Sequence, residues 1–168
     1  GAVNVADLFI RNGAIAVLST FIPVDALRNT TLMTRLFTYI CEGQNKSKQY
    51  RTLSDAWSGV VASNAIHELM HSSESFKIWM HGKNSKGKVR VVEFQLERCV
   101  GRLRNTHIYS DTIAIIEEML AEEDMVGKFG DIINMKNFFP ESFFYQLIGS
   151  PENIFLYNEI FEEYHNKI

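Results

Sequence analysis

The residue string with the most chemical content is His67-Glu68-Leu69-Met70-His71. On a helix, positions i and i+4 share a face, so His67 and His71 offer two imidazole nitrogens to one Zn²⁺, and Glu68 stands beside them to polarise a bound water as general base. Other reactive groups are poorly set. Cys41 and Cys99 lie in runs that read as helix interior, where a reduced, structural thiol is expected rather than a disulfide or an activated thiolate. Ser58 and Ser63 lack the Gly-x-Ser-x-Gly setting of a nucleophile elbow. The segment 82–88, with two glycines and an Asn-Ser pair, lacks the Gly-Lys-Ser or Gly-Lys-Thr ending of a phosphate loop and reads as an exposed connection.

The pentapeptide resembles the zincin metallopeptidase signature. That resemblance implies a third metal ligand downstream, for which Glu141 in Phe-Phe-Pro-Glu-Ser-Phe-Phe is the best candidate, with zinc as cofactor and Glu68 as the catalytic base. The flanks depart from that family's pattern: Asn64 and Ser73 stand where a β-branched and an apolar residue are usual, and no third histidine follows Ser72-Ser73-Glu74. The competing expectation is a solvated polar stripe. Trp57, Val60, Val61, Ile66, Leu69 and Met70 would face a core and leave Asn64, His67, Glu68 and His71 on the wet face.

Charge is sorted along the chain. Seventeen Lys and Arg against twenty Asp and Glu give a net charge of −3, too small and of the wrong sign for whole-surface attraction to nucleic acid. Residues 77–104 nonetheless carry eight basic and two acidic side chains, and residues 105–168 carry three basic and twelve acidic ones. Arg90, Arg98 and Arg102 belong to the basic segment, and Arg98 and Arg102 fall one helical turn apart. Such a patch fits an acidic or amphipathic partner segment, or a phosphate backbone, because guanidinium forks and ammonium charges suit both. It equally suits neutralisation of the chain's own acidic last third. Only Trp79 and Phe94 are aromatic within it, which does not make a stacking platform for single-stranded nucleic acid.

The elements that must carry these residues read as helices. With 46% hydrophobic residues, three prolines and ten glycines, the composition is that of one compact domain, 1–168, with Gly1-Ala2 as a tag remnant. Apolar residues recur at helical spacing over 5–21, 29–42 (capped by Asp25), 54–70, 89–104, 111–120, 131–137, 140–148 and 151–164. Seven to eight helices are expected. Nine of the twenty aromatic residues fall in 138–168, an expected C-terminal cap or oligomer contact. No uninterrupted apolar run of membrane-spanning length and no signal peptide is visible, so an intracellular, cytoplasmic protein is expected.

Similar apolar phrases begin at Gly13, Asn64 and Thr112, at intervals of 51 and 48 positions. This spacing, and the phrase Val5-Ala-Asp-Leu-Phe-Ile-Arg-Asn-Gly-Ala-Ile-Ala-Val-Leu, resemble the armadillo and HEAT class of helical repeats. The resemblance implies a non-enzymatic scaffold or adaptor. A partner peptide would lie along the last helix of each unit, with Asn64, His67, His71, Arg90, Arg98 and Arg102 as contact residues. The alternative function is the zinc peptidase.

Overall fold

The computed structural model of the chain describes residues 5–82, 86–135 and 138–157. Its described elements are α1 (Val5–Arg11), β1 (Ala16–Thr20), α2 (Ala26–Gln44), α3 (Leu53–Ser72), α4 (Glu74–Met80), α5 (Lys86–Thr106), α6 (Thr112–Glu122), α7 (Gly130–Ile133) and β2 (Tyr145–Gly149), with 3₁₀ turns at Tyr109–Asp111, Glu141–Phe144 and Pro151–Asn153. The chain is of the all-α class: its described residues are predominantly helical, with one small two-stranded sheet. Among the described residues no helix is long and apolar enough to cross a membrane.

Local chemistry accounts for the helix boundaries. Asp25 accepts hydrogen bonds from Leu27 N and Arg28 N, each at 3.0 Å, which satisfies two of the free amides that open α2. At α3, Thr52 Oγ1 accepts from Asp55 N at 3.2 Å while Asp55 Oδ2 accepts from Thr52 N at 2.9 Å, a reciprocal box that starts the helix just ahead of the expected Ser54. Ser73 breaks α3 from α4 and caps the latter through Phe76 N at 3.0 Å. Its hydroxyl, like that of Ser75, also donates to Asp131 Oδ1, at 2.9 and 2.6 Å, which ties this corner to α7.

Three helical expectations are overturned at the chain's two ends. Residues 5–21 form α1, a turn at Gly13 with φ +97°, and strand β1, so the first of the three repeat-like phrases is not a helix. Residues 140–148 form a 3₁₀ turn and strand β2 instead of a helix. The strands pair antiparallel, with Ala16 opposite Gly149 and Thr20 opposite Tyr145. Pro151 opens one 3₁₀ turn, after which Ile154 O accepts from Leu53 N and Leu156 N donates to Arg51 O, both at 2.9 Å, so 154–156 is extended; 158–164 lies outside the described residues. Helix α7 likewise ends at Ile133. At 16–20, 145–149 and 154–156 an extended backbone found hydrogen-bond partners remote in sequence, which periodicity cannot anticipate.

The chain divides into two compact units, Gly1–Val60 with Phe143–Ile168, and Val61–Ser142. The first has a core of Leu32 and Leu36 from α2, Ala56 and Val60 from α3, and Tyr145. Tyr145 packs its ring 6.2 Å from that of Trp57 and donates its hydroxyl to Asn29 Oδ1 at 2.6 Å. The second unit gathers Ile66, Leu69 and Met70 of α3, Phe76 of α4, and the inner stripes of α5 and α6 around Phe129 and Ile132. On α5 that stripe is Val92, Leu96, Cys99, Val100 and Leu103, the spacing expected from sequence.

Gly149 closes the sheet with φ +101°, and a Cβ there would collide with the Ile15 carbonyl. Gly149→Ala should therefore lower stability by roughly 1–3 kcal/mol, the cost of a side chain forced into such a backbone conformation. A chemical-denaturation midpoint equal to wild type would refute the pairing described.

Candidate functional site

The His-Glu-x-x-His string lies on the second half of α3, as expected, but its surroundings differ from the expectation. Residues 60–66 are buried without a break, so this part of α3 has no wet face. Asn64, expected as a partner contact, is only 2% exposed and belongs to the interior. The sequence signal was present in the small residues Ala62, Ser63 and Ala65, which let neighbouring elements approach the helix closely on several sides.

His67 is half-buried, with Nε2 3.6 Å from Glu97 Oε1 on α5. The exposed His71 ring meets Phe76 edge-on at 5.6 Å. The two imidazoles lie 6.5 Å apart with planes only 22° from parallel, a face-to-face arrangement rather than two nitrogens aimed at one point. Glu68 Oε2 accepts a hydrogen bond from Glu141 N at 2.6 Å, across 73 residues. The structure thus does bring Glu68 and Glu141 together, but through the Glu141 backbone. The Glu68 carboxylate anchors the 3₁₀ turn Glu141–Phe144, and the Glu141 side chain is buried. A zinc site needs donors converging at about 2 Å from one centre. Among the described residues no three His, Cys, Asp or Glu side chains do so, and the set His67, His71 and Glu141 does not fit the metal.

Arg90, Arg98 and Arg102 all lie on α5. Arg98, Cys99 and Arg102 face Glu118 and Glu122 of α6 across an open groove of about 150 Å³, smaller than the ~300–1,000 Å³ typical of a small-molecule site. Arg102 Nη1 donates to Glu118 Oε2 at 2.6 Å. That hydrogen bond, together with the carboxylate charge, holds the guanidinium proton more tightly than usual. Here one residue of the basic segment pairs with the acidic last third. Gln95 bridges the same two helices through Glu123 Oε1 at 2.5 Å and accepts from Arg98 Nη1 at 2.8 Å. Burial pushes the Cys99 thiol up to about 11, outweighing the charges of Arg102 and Arg98 that favour the thiolate. At neutral pH this thiol is protonated and unreactive.

The outer face of α5 carries an exposed aromatic side chain among its arginines. At 3.6 residues per turn, Arg90, Phe94, Arg98 and Gly101 share one stripe. Phe94 is 65% exposed and Val91, at its edge, 47%. Phe94 is off the buried Val92–Leu96–Leu103 stripe, and that offset was readable from spacing. At Gly101 a Cβ would meet open space, so the helix surface is notched there.

Three measurements test these assignments. Glu68→Ala should cost on the order of 1 kcal/mol through the orphaned Glu141 amide, whereas Glu68→Gln, which keeps an acceptor oxygen, should retain most of it. Added Zn²⁺ should leave the Tm of the wild type unmoved; a tight equivalent of zinc lost in His67→Ala would restore the peptidase reading. Under native conditions at pH 8, a maleimide should label the exposed Cys41 and spare Cys99, whose thiolate becomes the major form only as pH rises through about 11. Equal labelling of both would contradict the packing of α5 on α6. No family model, curated protein or solved structure matches the chain.

Proposed function

We propose that this chain is a non-enzymatic protein-interaction domain that takes an acidic, amphipathic partner segment on the outer face of α5. The observation that carries the reading is the exposure of Phe94 between Arg90 and Arg98 on one helical stripe. Aromatic and arginine side chains are the types that most often dominate binding energy at interfaces, the ring by losing its hydration and the guanidinium by pairing a carboxylate within the rim. Leaving a phenylalanine in water gives up part of the roughly 1.5–3 kcal/mol that burying it would return.

The surroundings suit the same occupant. The basic segment supplies long-range attraction for an acidic chain, which raises association rate and selects partners by sign. The notch at Gly101 accepts a protruding apolar side chain two turns from Phe94. His67 reaches the edge of this face through Glu97, and His71 is exposed further along α3. The α5–α6 groove is too small for a cofactor and its thiol is held protonated, which favours docking over catalysis. Arg102, already paired with Glu118, contributes less net charge than the sequence suggests, and Glu93 and Glu97 interrupt the basic run. Both facts favour an acidic peptide over a phosphate backbone.

A displayed peptide library panned against the domain tests the reading. The enriched peptides should combine carboxylates with one or two large apolar residues. Phe94→Ala should weaken them by about 30-fold, the effect of a 2 kcal/mol hot spot, and Arg98→Glu by at least about tenfold, with Tm unchanged in both. Gly101→Ala should raise Tm, since alanine is favoured over glycine inside a helix by about 0.5–1 kcal/mol, yet reduce binding by filling the notch. Peptides without acidic residues, or indifferent to Arg98→Glu, overturn the proposal.

A further inference from the structure

The connection between α1 and β1 carries a reactive pair of residues. Asn12 is the one asparagine of the chain that is followed by glycine. The missing Cβ at Gly13 matters twice. It permits φ +97°, which lets the Ala14 amide turn back and donate to Phe9 O at 3.0 Å as α1 ends. It also leaves the Gly13 amide unshielded beside the Asn12 side chain. Both residues are exposed, and a Cβ at Gly13 would meet nothing within 4 Å, so the space around the pair is open.

Two hydrogen bonds keep the pair from reacting in the closed turn. Asn12 Nδ2 donates to Leu8 O at 2.7 Å, and Gly13 N donates to Ile10 O at 3.0 Å. Both acceptors are carbonyls of α1, so fraying of its last turn releases the two groups together. Helix α1 has seven residues and buries one of them, Ala6. Opening it exposes little apolar surface, and a helix this short has little stability of its own.

We propose that Asn12 is a site of spontaneous deamidation, gated by the fraying of α1. In the frayed turn the Gly13 amide loses its proton to hydroxide, and its nitrogen attacks Asn12 Cγ. The N–Cγ bond forms, the Cγ–Nδ2 bond breaks, and Nδ2 leaves as ammonia with a proton taken from water. A water molecule then opens the five-membered succinimide. Cleavage between Gly13 N and Cγ gives aspartate. Cleavage between Gly13 N and the Asn12 backbone carbonyl carbon gives isoaspartate, whose main chain runs through the former side chain.

Either product weakens the turn it came from. An aspartate at this position has no donor for Leu8 O, and it places a negative charge at the C-terminal end of α1, where the dipole is already negative. Isoaspartate adds a main-chain atom between α1 and β1. Ile15 O accepts from Ser150 N at 2.9 Å, and the pairing of β1 with β2 begins at the next residue. The modification is therefore passed into the sheet that joins the two ends of the first unit. It is slow while α1 is closed and fast in any chain whose α1 has opened. None of its residues belongs to the α5 face.

Incubation of the full chain in mildly alkaline buffer, followed by peptide mapping with mass spectrometry and isoaspartyl methyltransferase labelling, tests the site and its gate. The expected result is conversion of amide to acid at Asn12 ahead of every other asparagine, with a rate that rises with pH, as attack by a deprotonated amide requires. The same chain unfolded in urea should react several-fold faster at Asn12. So should folded Gly149→Ala, because the added Cβ presses on Ile10 of α1 as well as on the Ile15 carbonyl. Asn12→Asp should lower the Tm, and Asn12→Gln, whose longer side chain must close a six-membered ring, should give no product at this position over the same time. Another asparagine reacting first, equal rates in the folded and unfolded chain, a rate unmoved by Gly149→Ala, or an Asn12→Asp variant as stable as wild type overturns the proposal.

Discussion

Between residues 60 and 66 helix α3 offers no surface to water, and most of the remaining architecture answers that demand. A helix buried on every side cannot be served by one neighbouring layer, because each neighbour covers only a sector of it. Helix α3 runs across the boundary between the two compact units. Its first half sits in a core with Leu32, Leu36 and Tyr145, and its second half in a core with α4, α5 and α6. The small side chains Ala62, Ser63 and Ala65 are the local adaptation that allows close approach. Asn64 is kept inside by the same geometry.

The inward-facing chemistry follows from that packing. Glu68 is the residue on which a peptidase reading depends, yet its carboxylate is an acceptor for a backbone amide that would otherwise open a 3₁₀ turn without a partner. Cys99 sits on the inner stripe of α5 and is held protonated by burial despite two neighbouring guanidinium groups. Both reactive groups are thus committed to structure. Side chains with unrealised interaction energy include Phe94 and Val91 on the outer face of α5, where apolar groups remain in water.

Legibility in the sequence followed the range of the interaction. Asp25 as a cap, the inner stripe of α5 and the helical class depend on residues within a few turns of one another, and they can be read from spacing. The antiparallel pairing of Ala16–Thr20 with Tyr145–Gly149 joins segments from opposite ends of the chain, and each alone carries apolar residues at intervals a helix would also use. The charge sorting was visible but its meaning was not, because the choice between an external partner and Glu118 for Arg102 depends on how α5 and α6 pack. The histidine pair on α3 was legible as a motif; the direction of its rings was not.

The sheet has a consequence for the order of assembly. The second unit is a continuous stretch of chain, Val61–Ser142, whereas the first is interrupted and needs Tyr145–Gly149 to reach Ala16–Thr20. Closing that large loop carries an entropic cost which local helix contacts avoid. During synthesis, therefore, β1 precedes β2 and cannot pair until Tyr145–Gly149 has followed it. Helix α3 can nucleate with the helices that follow it while β1 waits, exposed along its edge, for a strand not yet made.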